Sequence, residues 1–288
     1  FSTSYDFVEY TISSCILCHE GYLNSDKIYV RSVDIIITEK CSLRCDGCAN
    51  LMQYFENPKN DSLEEIYKSL DLFCNSVDEI NEFRVIGGEP FMNKEIHLVV
   101  KRLVDKSNVR KVVIYTNATI APSIKQIEYL KNKKVLFVIT NYGDKLSKNY
   151  TKMVSILEEN DIAYYASDVD GWTDCSKIEK QNRSIEEGKE VFRKCCAKNL
   201  ITLSEGKIFR CPFAANAYRL GASPDFKNDY VDIFGNAKPQ KVKEEIKGYF
   251  YDKDYLEICD YCEGRFLDDP EITPAVQLKK PLEYKKYR

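Results

Sequence analysis

Three cysteines stand close together in the chain. Cys41, Cys45 and Cys48 have the spacing C-x3-C-x2-C and directly follow an apolar, strand-like segment at 33–38. Cysteine thiolates are the usual ligands of protein iron–sulfur clusters, typically four to a cluster. Three thiolates on one tight loop can bind three irons of a [4Fe–4S] cluster and leave the fourth iron open to a small molecule. The spacing therefore predicts a cluster that does chemistry as well as carrying electrons.

A structural zinc site is the alternative interpretation of these cysteines. Zinc sites combine C-x2-C units with a second pair of cysteine or histidine ligands. The next distinctive sequence here is instead Gly87-Gly88-Glu89-Pro90, directly after a strand-like segment at 83–86. Glycine allows the backbone to approach a ligand closely, and polar groups beside it can hydrogen-bond a charged ammonium. This combination favours the cluster.

The cysteine spacing and the GGEP sequence together resemble the radical S-adenosylmethionine (radical SAM) enzymes. In that family the open iron chelates the amine and carboxylate of S-adenosylmethionine. One electron from the cluster then cleaves this cofactor to methionine and a 5′-deoxyadenosyl radical. The resemblance implies that Gly87, Gly88, Glu89 and Pro90 lie against the methionine end of the cofactor. Gly47 departs from the family, which usually has an adenine-contacting aromatic residue before the third cysteine.

Strand-like and helix-like segments alternate from about residue 33 to residue 166. Such alternation predicts an α/β fold with a parallel sheet and right-handed crossovers. The resemblance implies the partial (β/α)6 barrel of the radical SAM core. The predicted strands are 33–38, 83–86, 112–116, 135–140 and 162–166. Predicted helices begin at Asp61, where Glu64 completes a capping box, and at Asn93, Pro122, Leu146 and Ile185.

Polar residues follow the predicted strands at the end where parallel sheets bind ligands. These are Thr116-Asn117 and Thr140-Asn141, in addition to the cysteine and GGEP sequences. We expect all four pieces to converge on one edge of the sheet. Thr116, Asn117 and Asn141 are then candidates to contact the ribose or carboxylate of S-adenosylmethionine. The alternative is that they are ordinary polar strand ends that start turns.

A second group of cysteines lies in the last third of the chain, at Cys196, Cys211, Cys259 and Cys262. The first two enclose a predicted β-hairpin with Gly206 at its turn. This arrangement resembles the twitch domain, the short form of the SPASM domain of radical SAM enzymes. It implies one auxiliary [4Fe–4S] cluster, so that the protein would hold two clusters.

Two alternatives remain open for this second group. Cys195 is the alternative to Cys196 as the first ligand, because the two are adjacent in the chain. A structural zinc site with four cysteines is the alternative to the auxiliary cluster.

The bulk properties exclude several classes of protein. The 288-residue chain has a net charge of -3, a pI of about 5.7 and no apolar run of membrane-spanning length. We therefore expect neither a nucleic-acid nor a membrane partner. Twelve cysteines without a signal peptide predict a cytoplasmic protein whose cysteines bind metal. Two histidines disfavour histidine-based metal sites and Ser-His-Asp hydrolysis.

The domain organisation is expected to have three parts. These are an N-terminal segment at 1–32, a radical SAM core at 33–170, and the twitch domain with a C-terminal tail at 171–288. The chain begins at Phe1, so we expect the natural N-terminus to be missing. A haem-attachment string, C-x-x-C-H, begins at Cys15. We interpret it as chance or a local structural feature.

The resemblance implies an enzyme that takes a hydrogen atom from a small, carbohydrate-like substrate and oxidises a secondary alcohol. The auxiliary cluster would accept an electron, and a flavodoxin or ferredoxin would act as external reductant. The alternative is modification of a ribosomal peptide or protein, or redox-neutral epimerisation or rearrangement of a sugar. A third interpretation is an iron–sulfur electron carrier. The GGEP sequence disfavours it, because a carrier has no use for a cofactor-binding loop. Four polar residues are candidates to line a substrate site, but each is expected to be structural: Asn141, Trp172, Arg210 and Arg265.

Overall fold

The computed structural model describes residues 23–24, 26–169, 171–235 and 238–288. The chain divides into two compact units. The first unit is Phe1–Ser42 with Asn60–Val169, and the second is Leu43–Lys59 with Asp170–Arg288. The two units divide near residue 170, and Leu43–Lys59 belongs to the second unit. The C-x-x-C-H string lies outside the described residues.

The first unit is built on a parallel sheet, which confirms the predicted α/β fold. Its strands lie in the order β5-β4-β3-β2-β1, and every neighbouring pair is parallel. Most strands extend by one to four residues beyond the predicted segments. Their bounds are Tyr29–Ile36 (β1), Glu79–Ile86 (β2), Val109–Thr116 (β3), Val135–Asn141 (β4) and Ala163–Asp168 (β5).

One face of this sheet is apolar and buried. Val33, Phe83, Val112 and Phe137 point to this face and have almost no exposed surface. Phe73 of helix α1 (Leu63–Ser76) packs edge-on against Phe83, with ring centroids 6.0 Å apart. Burial of such large apolar side chains is the main favourable contribution to folding.

The opposite face of the sheet is polar over part of its area. Strand register places alternate residues of β1, β2, β3 and β5 on this side. Two of its tyrosine side chains are among the exposed large hydrophobic residues of the chain. We define the polar face by six residues: Asp34, Glu82, Arg84, Lys111, Tyr115 and Tyr165.

The helices of the first unit begin later than the sequence predicts. The N-cap of α1 is Ser62, not Asp61, because the Ser62 hydroxyl accepts from the Glu65 amide and also donates to its carboxylate at 2.8 Å. The Asp61 amide is instead bonded to the Ile37 carbonyl. The predicted cap was therefore wrong by one residue, since it is the Ser62 hydroxyl that bonds an amide of the first helical turn.

Asn93 also lies before the helix that it was predicted to cap. Helix α2 is Ile96–Val104, with Glu95 at its N-cap. The Asn93 side chain accepts from the Glu95 amide at 3.0 Å and donates to the Ile37 carbonyl at 3.0 Å. It thus ties the helix entrance to the end of β1. Two further α-helices of this unit are Ile124–Leu130 (α3), capped by Ser123 after Pro122, and Tyr150–Glu159 (α4).

Among its described residues, the second unit contains the predicted hairpin and three α-helices. Helix α5 is Ile185–Lys194, as predicted, and begins with a capping box of Ser184 and Glu187. The hairpin and the next strand form a three-stranded antiparallel sheet. The other elements are Trp172–Thr173 (β6), Ile201–Ser204 (β7), Lys207–Phe209 (β8), Pro212–Leu220 (α6), Tyr230–Asp232 (β9), Pro239–Tyr251 (α7) and Glu271–Ile272 (β10). Among the described residues, no helix is both long and apolar enough to cross a membrane.

Candidate active site

Glu89 of the GGEP sequence is a completely buried carboxylate at the end of β2. Its oxygens accept from the Thr116 hydroxyl at 2.9 and 3.0 Å, and from the amides of Phe91 and Asn117 at 3.2 and 2.9 Å. Burial raises the pKa of Glu89 to about 7, and the amide and hydroxyl donors oppose that shift. Glu89 therefore joins the ends of β2 and β3 through three donors, one hydroxyl and two amides.

The two glycines of the GGEP sequence allow close packing of two backbones. A Cβ atom at Gly87 would collide with the carbonyl of Thr38, and one at Gly88 with the carbonyl of Lys40. The amides of Gly88 and Glu89 bond to these carbonyls at 3.1 and 2.9 Å. The glycines thus hold the loop against the segment that leads into the cysteines.

Asn117 links this network to the first cysteine of the motif. Its Nδ2 donates to Cys41 Sγ at 3.7 Å, and its Oδ1 accepts from the amide and hydroxyl of Thr119 at 3.0 and 2.7 Å. The neighbouring Thr116 is buried and bonded to Glu89. The structure therefore brings Thr116, Asn117 and Glu89 together, with Asn117 facing the thiol.

Asn141 behaves as a residue that starts a turn. Its Nδ2 donates to Asp168 Oδ1 at 2.7 Å, and its Oδ1 accepts from the Gly143 amide at 3.0 Å. The second bond is the Asx turn that asparagine commonly makes after a strand. Both groups of the side chain are thus engaged locally.

Cys45 and Cys48 lie in the second unit and are surrounded by N–H donors. Cys45 is buried and accepts from Gln277 Nε2 at 3.1 Å. Burial raises the pKa of Cys45 to about 11, an effect that this hydrogen bond opposes. Burial also raises the pKa of Cys48, and hydrogen bonds from the backbone amides of residues 50–52 oppose that shift. Such N–H donors suit sulfurs that carry negative charge when they bind a metal cluster.

Gly47 has a left-handed backbone conformation, with φ of 73°. A Cβ atom here would collide with the Ile272 side chain, and Trp172 lies beside the same space. Both residues come from the small antiparallel ribbon of β6 and β10. A side chain at position 47 would therefore require both a strained backbone and displacement of the Ile272 side chain.

Four cysteines of the second unit lie close enough to influence one another. Burial raises the pKa of Cys211 to about 12, and Cys195 adds to this effect. Burial likewise raises the pKa values of Cys259 and Cys262, with further contributions from Cys211 and Cys195. Of the two adjacent cysteines, Cys195 is half-buried and Cys196 is exposed. Cys195, unlike Cys196, is among the groups that contribute to the pKa shifts of Cys211, Cys259 and Cys262.

The cysteines of this group have free thiols and local N–H donors. Cys211 is the N-cap of α6, and its Sγ accepts from the Ala214 amide at 3.5 Å. Cys262 Sγ accepts from the Gly264 amide at 3.3 Å. A helix N-terminus stabilises a thiolate, so the donor set fits an anionic, thiolate-bound cluster. Within the described ranges, no three His, Cys, Asp or Glu side chains could hold a single metal ion.

Arg183 fixes the backbone between Cys259 and Cys262. Its Nη1 donates to the carbonyls of both cysteines, at 2.6 and 2.7 Å. Its own amide donates to Asp260 Oδ1 at 2.6 Å. Sequence reasoning missed Arg183, and nothing in its local sequence indicates the role, since the contacts span more than seventy residues of chain.

Arg210 is a structural residue, in agreement with the expectation. It is buried, and its guanidinium donates to Asn199 Oδ1 at 2.5 Å and to the Tyr249 carbonyl at 2.8 Å. It also bonds to two further carbonyls, those of Lys198 and Phe250. The backbone carbonyl of Arg265 accepts from the Cys196 amide at 2.9 Å.

The sequence profile of the Radical SAM superfamily matches residues 35–205, more than half of the chain. The chain belongs to the radical SAM superfamily, whose members are enzymes that use S-adenosylmethionine and a [4Fe–4S] cluster.

Characterised relatives match only part of the chain. It is 26% identical over 136 residues to the GTP 3′,8-cyclase of Clostridium acetobutylicum, covering 44% of this chain and 42% of that protein. It is 30% identical over 101 residues to the GTP 3′,8-cyclase of Sulfurovum sp., covering 33% and 30% respectively. The chain thus spans less than half the length of these relatives.

Solved structures show similarity over more of the chain. BtrN in complex with AdoMet and 2-DOIA has a TM-score of 0.49 and 15% identity, covering 83% of this chain and 94% of that one. SuiB of Streptococcus suis bound to S-adenosylmethionine has a TM-score of 0.44 and 13% identity, covering 76% and 68%. Neither similarity bears on the substrate of this chain.

Proposed function

We propose that this enzyme holds its catalytic [4Fe–4S] cluster through Cys41, Cys45 and Cys48 and acts on a small, hydroxylated, carbohydrate-like substrate. When bound, the cluster and S-adenosylmethionine supply the 5′-deoxyadenosyl radical that removes a hydrogen atom from the substrate. Membership of the radical SAM superfamily supports the cofactors. The N–H donors around Cys41 and Cys45 support these thiols as ligands.

The polar face of the first unit supports a neutral, hydroxylated substrate. It carries two carboxylates, one guanidinium and one ammonium, so its charges balance. Arg84 and Asp34 form an ion pair of 2.5 Å near the carboxyl ends of β1 and β2, where parallel sheets bind ligands. Tyr115 and Tyr165 add exposed rings and hydroxyls, which suit the faces and hydroxyls of a sugar-like ring. A polyphosphate would need a net positive surface.

The single observation that favours oxidation is the grouping of Cys195, Cys211, Cys259 and Cys262. When bound there, an auxiliary [4Fe–4S] cluster supplies a one-electron acceptor. A secondary alcohol that loses a hydrogen atom, a proton and one further electron becomes a ketone. The hydrogen atom goes to the adenosyl radical and the proton to a carboxylate of the polar face. A flavodoxin or ferredoxin supplies the electron that starts each turnover.

Formation of 5′-deoxyadenosine tests this function. Anaerobically reconstituted, reduced protein should cleave S-adenosylmethionine, and Cys41→Ala should lose at least about a hundredfold in rate, because a cluster ligand is missing. Cys74→Ala is the matched control, since Cys74 is a buried cysteine of α1 outside both cysteine groups. Absence of cleavage by wild-type protein that has taken up iron would refute the proposal.

The choice of substrate class is tested in the same assay. Neutral aminocyclitols and sugars should raise 5′-deoxyadenosine formation above its substrate-free rate and yield a ketone. GTP and short peptides should leave the rate unchanged. Stimulation by peptides alone would favour the peptide-modifying alternative, and a product of unchanged oxidation state would favour epimerisation or rearrangement.

A further inference from the structure

The C-terminal tail at residues 275–278 pairs with the loop that carries the cysteine motif. The Asp46 amide donates to the Val276 carbonyl at 2.7 Å, and the Leu278 amide donates to the Arg44 carbonyl at 2.8 Å. These two bonds flank the second cysteine of the motif. The tail therefore acts as a short partner strand for this part of the cysteine loop.

Gln277 lies directly opposite Cys45 in this pairing, which forms an antiparallel β-bridge. Its Oε1 accepts from the Arg44 amide at 3.0 Å. Its Nε2 donates to the Ala275 carbonyl at 2.8 Å and to Cys45 Sγ at 3.1 Å. A primary amide has two N–H donors, and both are used. Because Oε1 must face the Arg44 donor, the orientation of the amide is determined and Nε2 must face the sulfur.

We infer that Gln277 is a positioning residue that fixes Cys45 and raises the reduction potential of the cluster bound there. The inference rests on the proposed role of Cys45 as a ligand. An N–H donor withdraws negative charge from a ligand sulfur and so stabilises the more negative, reduced state of a cluster. The external reductant would then need less driving force to reduce the catalytic cluster.

Two substitutions separate the hydrogen bond from general packing. Gln277→Glu keeps the shape and the oxygen that accepts from Arg44, but it has no N–H for the sulfur. Gln277→Leu removes both groups. The full-length protein is reconstituted anaerobically, and its clusters are titrated with reductant while electron paramagnetic resonance spectra are recorded. Gln240→Glu is the control, because Gln240 is an exposed glutamine of α7.

We expect both Gln277 variants to shift one reduction step to more negative potential. The shift should be larger for Gln277→Glu, since its charge also opposes the added electron. The step that shifts should be the one missing from Cys45→Ala, whose retained fold is checked by circular dichroism. The other reduction step is the internal reference. Gln240→Glu should match the wild type.

The outcomes distinguish this inference from the proposed function. If Gln277→Glu holds its clusters and titrates as the wild type does, the inference is overturned and the proposed function stands. A shift in Gln277→Leu alone also overturns it, because the effect would then come from packing. If no cluster depends on Cys45 in the wild type, the proposed function itself fails.

Discussion

Asp34 is a buried carboxyl whose protonation couples to the stability of the protein. Burial raises its pKa from 3.8 to about 6, while the charge of Arg84 opposes the shift. Because the folded value lies above the unfolded value, the folded state keeps a proton that the unfolded state has lost. The contribution of Asp34 to stability should therefore fall as pH rises from about 4 to about 6. Two pKa units set an upper limit of roughly 3 kcal/mol.

Thermal unfolding midpoints of the wild type and Asp34→Asn across this pH range test the prediction. Asparagine does not titrate, so the difference between the two proteins isolates Asp34. The wild type should lose stability relative to the variant as pH rises. Asp144→Asn, at an exposed position, should show no such trend. A difference that stays constant or grows in favour of the wild type contradicts the assignment.

The roles of some residues could be predicted from the sequence, and the roles of others could not. The spacing of Cys41, Cys45 and Cys48 is local and chemically specific, so it predicts their role directly. Local spacing could not decide between Cys195 and Cys196, because the two residues are adjacent and spacing alone does not show that Cys195 is half-buried and Cys196 exposed. Gln277 could not be found at all, since it meets Cys45 across 232 residues.

At the scale of elements, the β7–β8 hairpin depends on its two-residue turn. Glu205 and Gly206 both have left-handed backbone conformations, with φ of 49° and 69°. This is the geometry of the type I′ turn that suits the twist of paired strands. The Phe234 ring occupies the space that a Cβ atom at Gly206 would need. The turn therefore combines a backbone requirement with a packing requirement.

Gly206→Ala should destabilise the protein by more than about 1–2 kcal/mol, which is the cost of a left-handed backbone conformation for a residue with a Cβ atom. The added loss comes from displacement of Phe234. Gly143→Ala is the control, because Gly143 has φ of 81° with nothing near the new methyl group. Thermal unfolding of both variants measures the effect. Equal losses at the two positions would show that the Phe234 contact contributes nothing.

Elements were predictable where the signals were local. Helix α5 matches its prediction because Ser184 and Glu187 form a capping box immediately before an amphipathic segment. Helix α1 was misplaced by one residue because Asp61 and Ser62 are both good caps, and the bond from Asp61 to Ile37 decides between them. The β6–β10 ribbon has two residues per strand and no periodic pattern, so only tertiary packing reveals it.

At the scale of the whole molecule, alternation of strands and helices was enough to predict the parallel sheet of the first unit. The composition of the second unit was harder to predict. Leu43–Lys59 belongs to it although this segment lies far from the rest of the unit in the chain. The C-terminal tail supplies hydrogen-bond partners for this segment. One example is the Leu282 amide, which donates to the Gln53 carbonyl at 2.9 Å. Such long-range pairings leave no trace in local sequence.

The central claim is that two groups of cysteines bind two clusters, with Cys195 completing the second group. Iron and zinc per chain, measured in anaerobically reconstituted wild type, Cys195→Ser and Cys196→Ser, test it most directly. Two [4Fe–4S] clusters correspond to about eight irons. We predict about eight irons in the wild type and in Cys196→Ser, and loss of about half of them in Cys195→Ser. About four irons and one zinc in the wild type, or a loss confined to Cys196→Ser, would contradict the account.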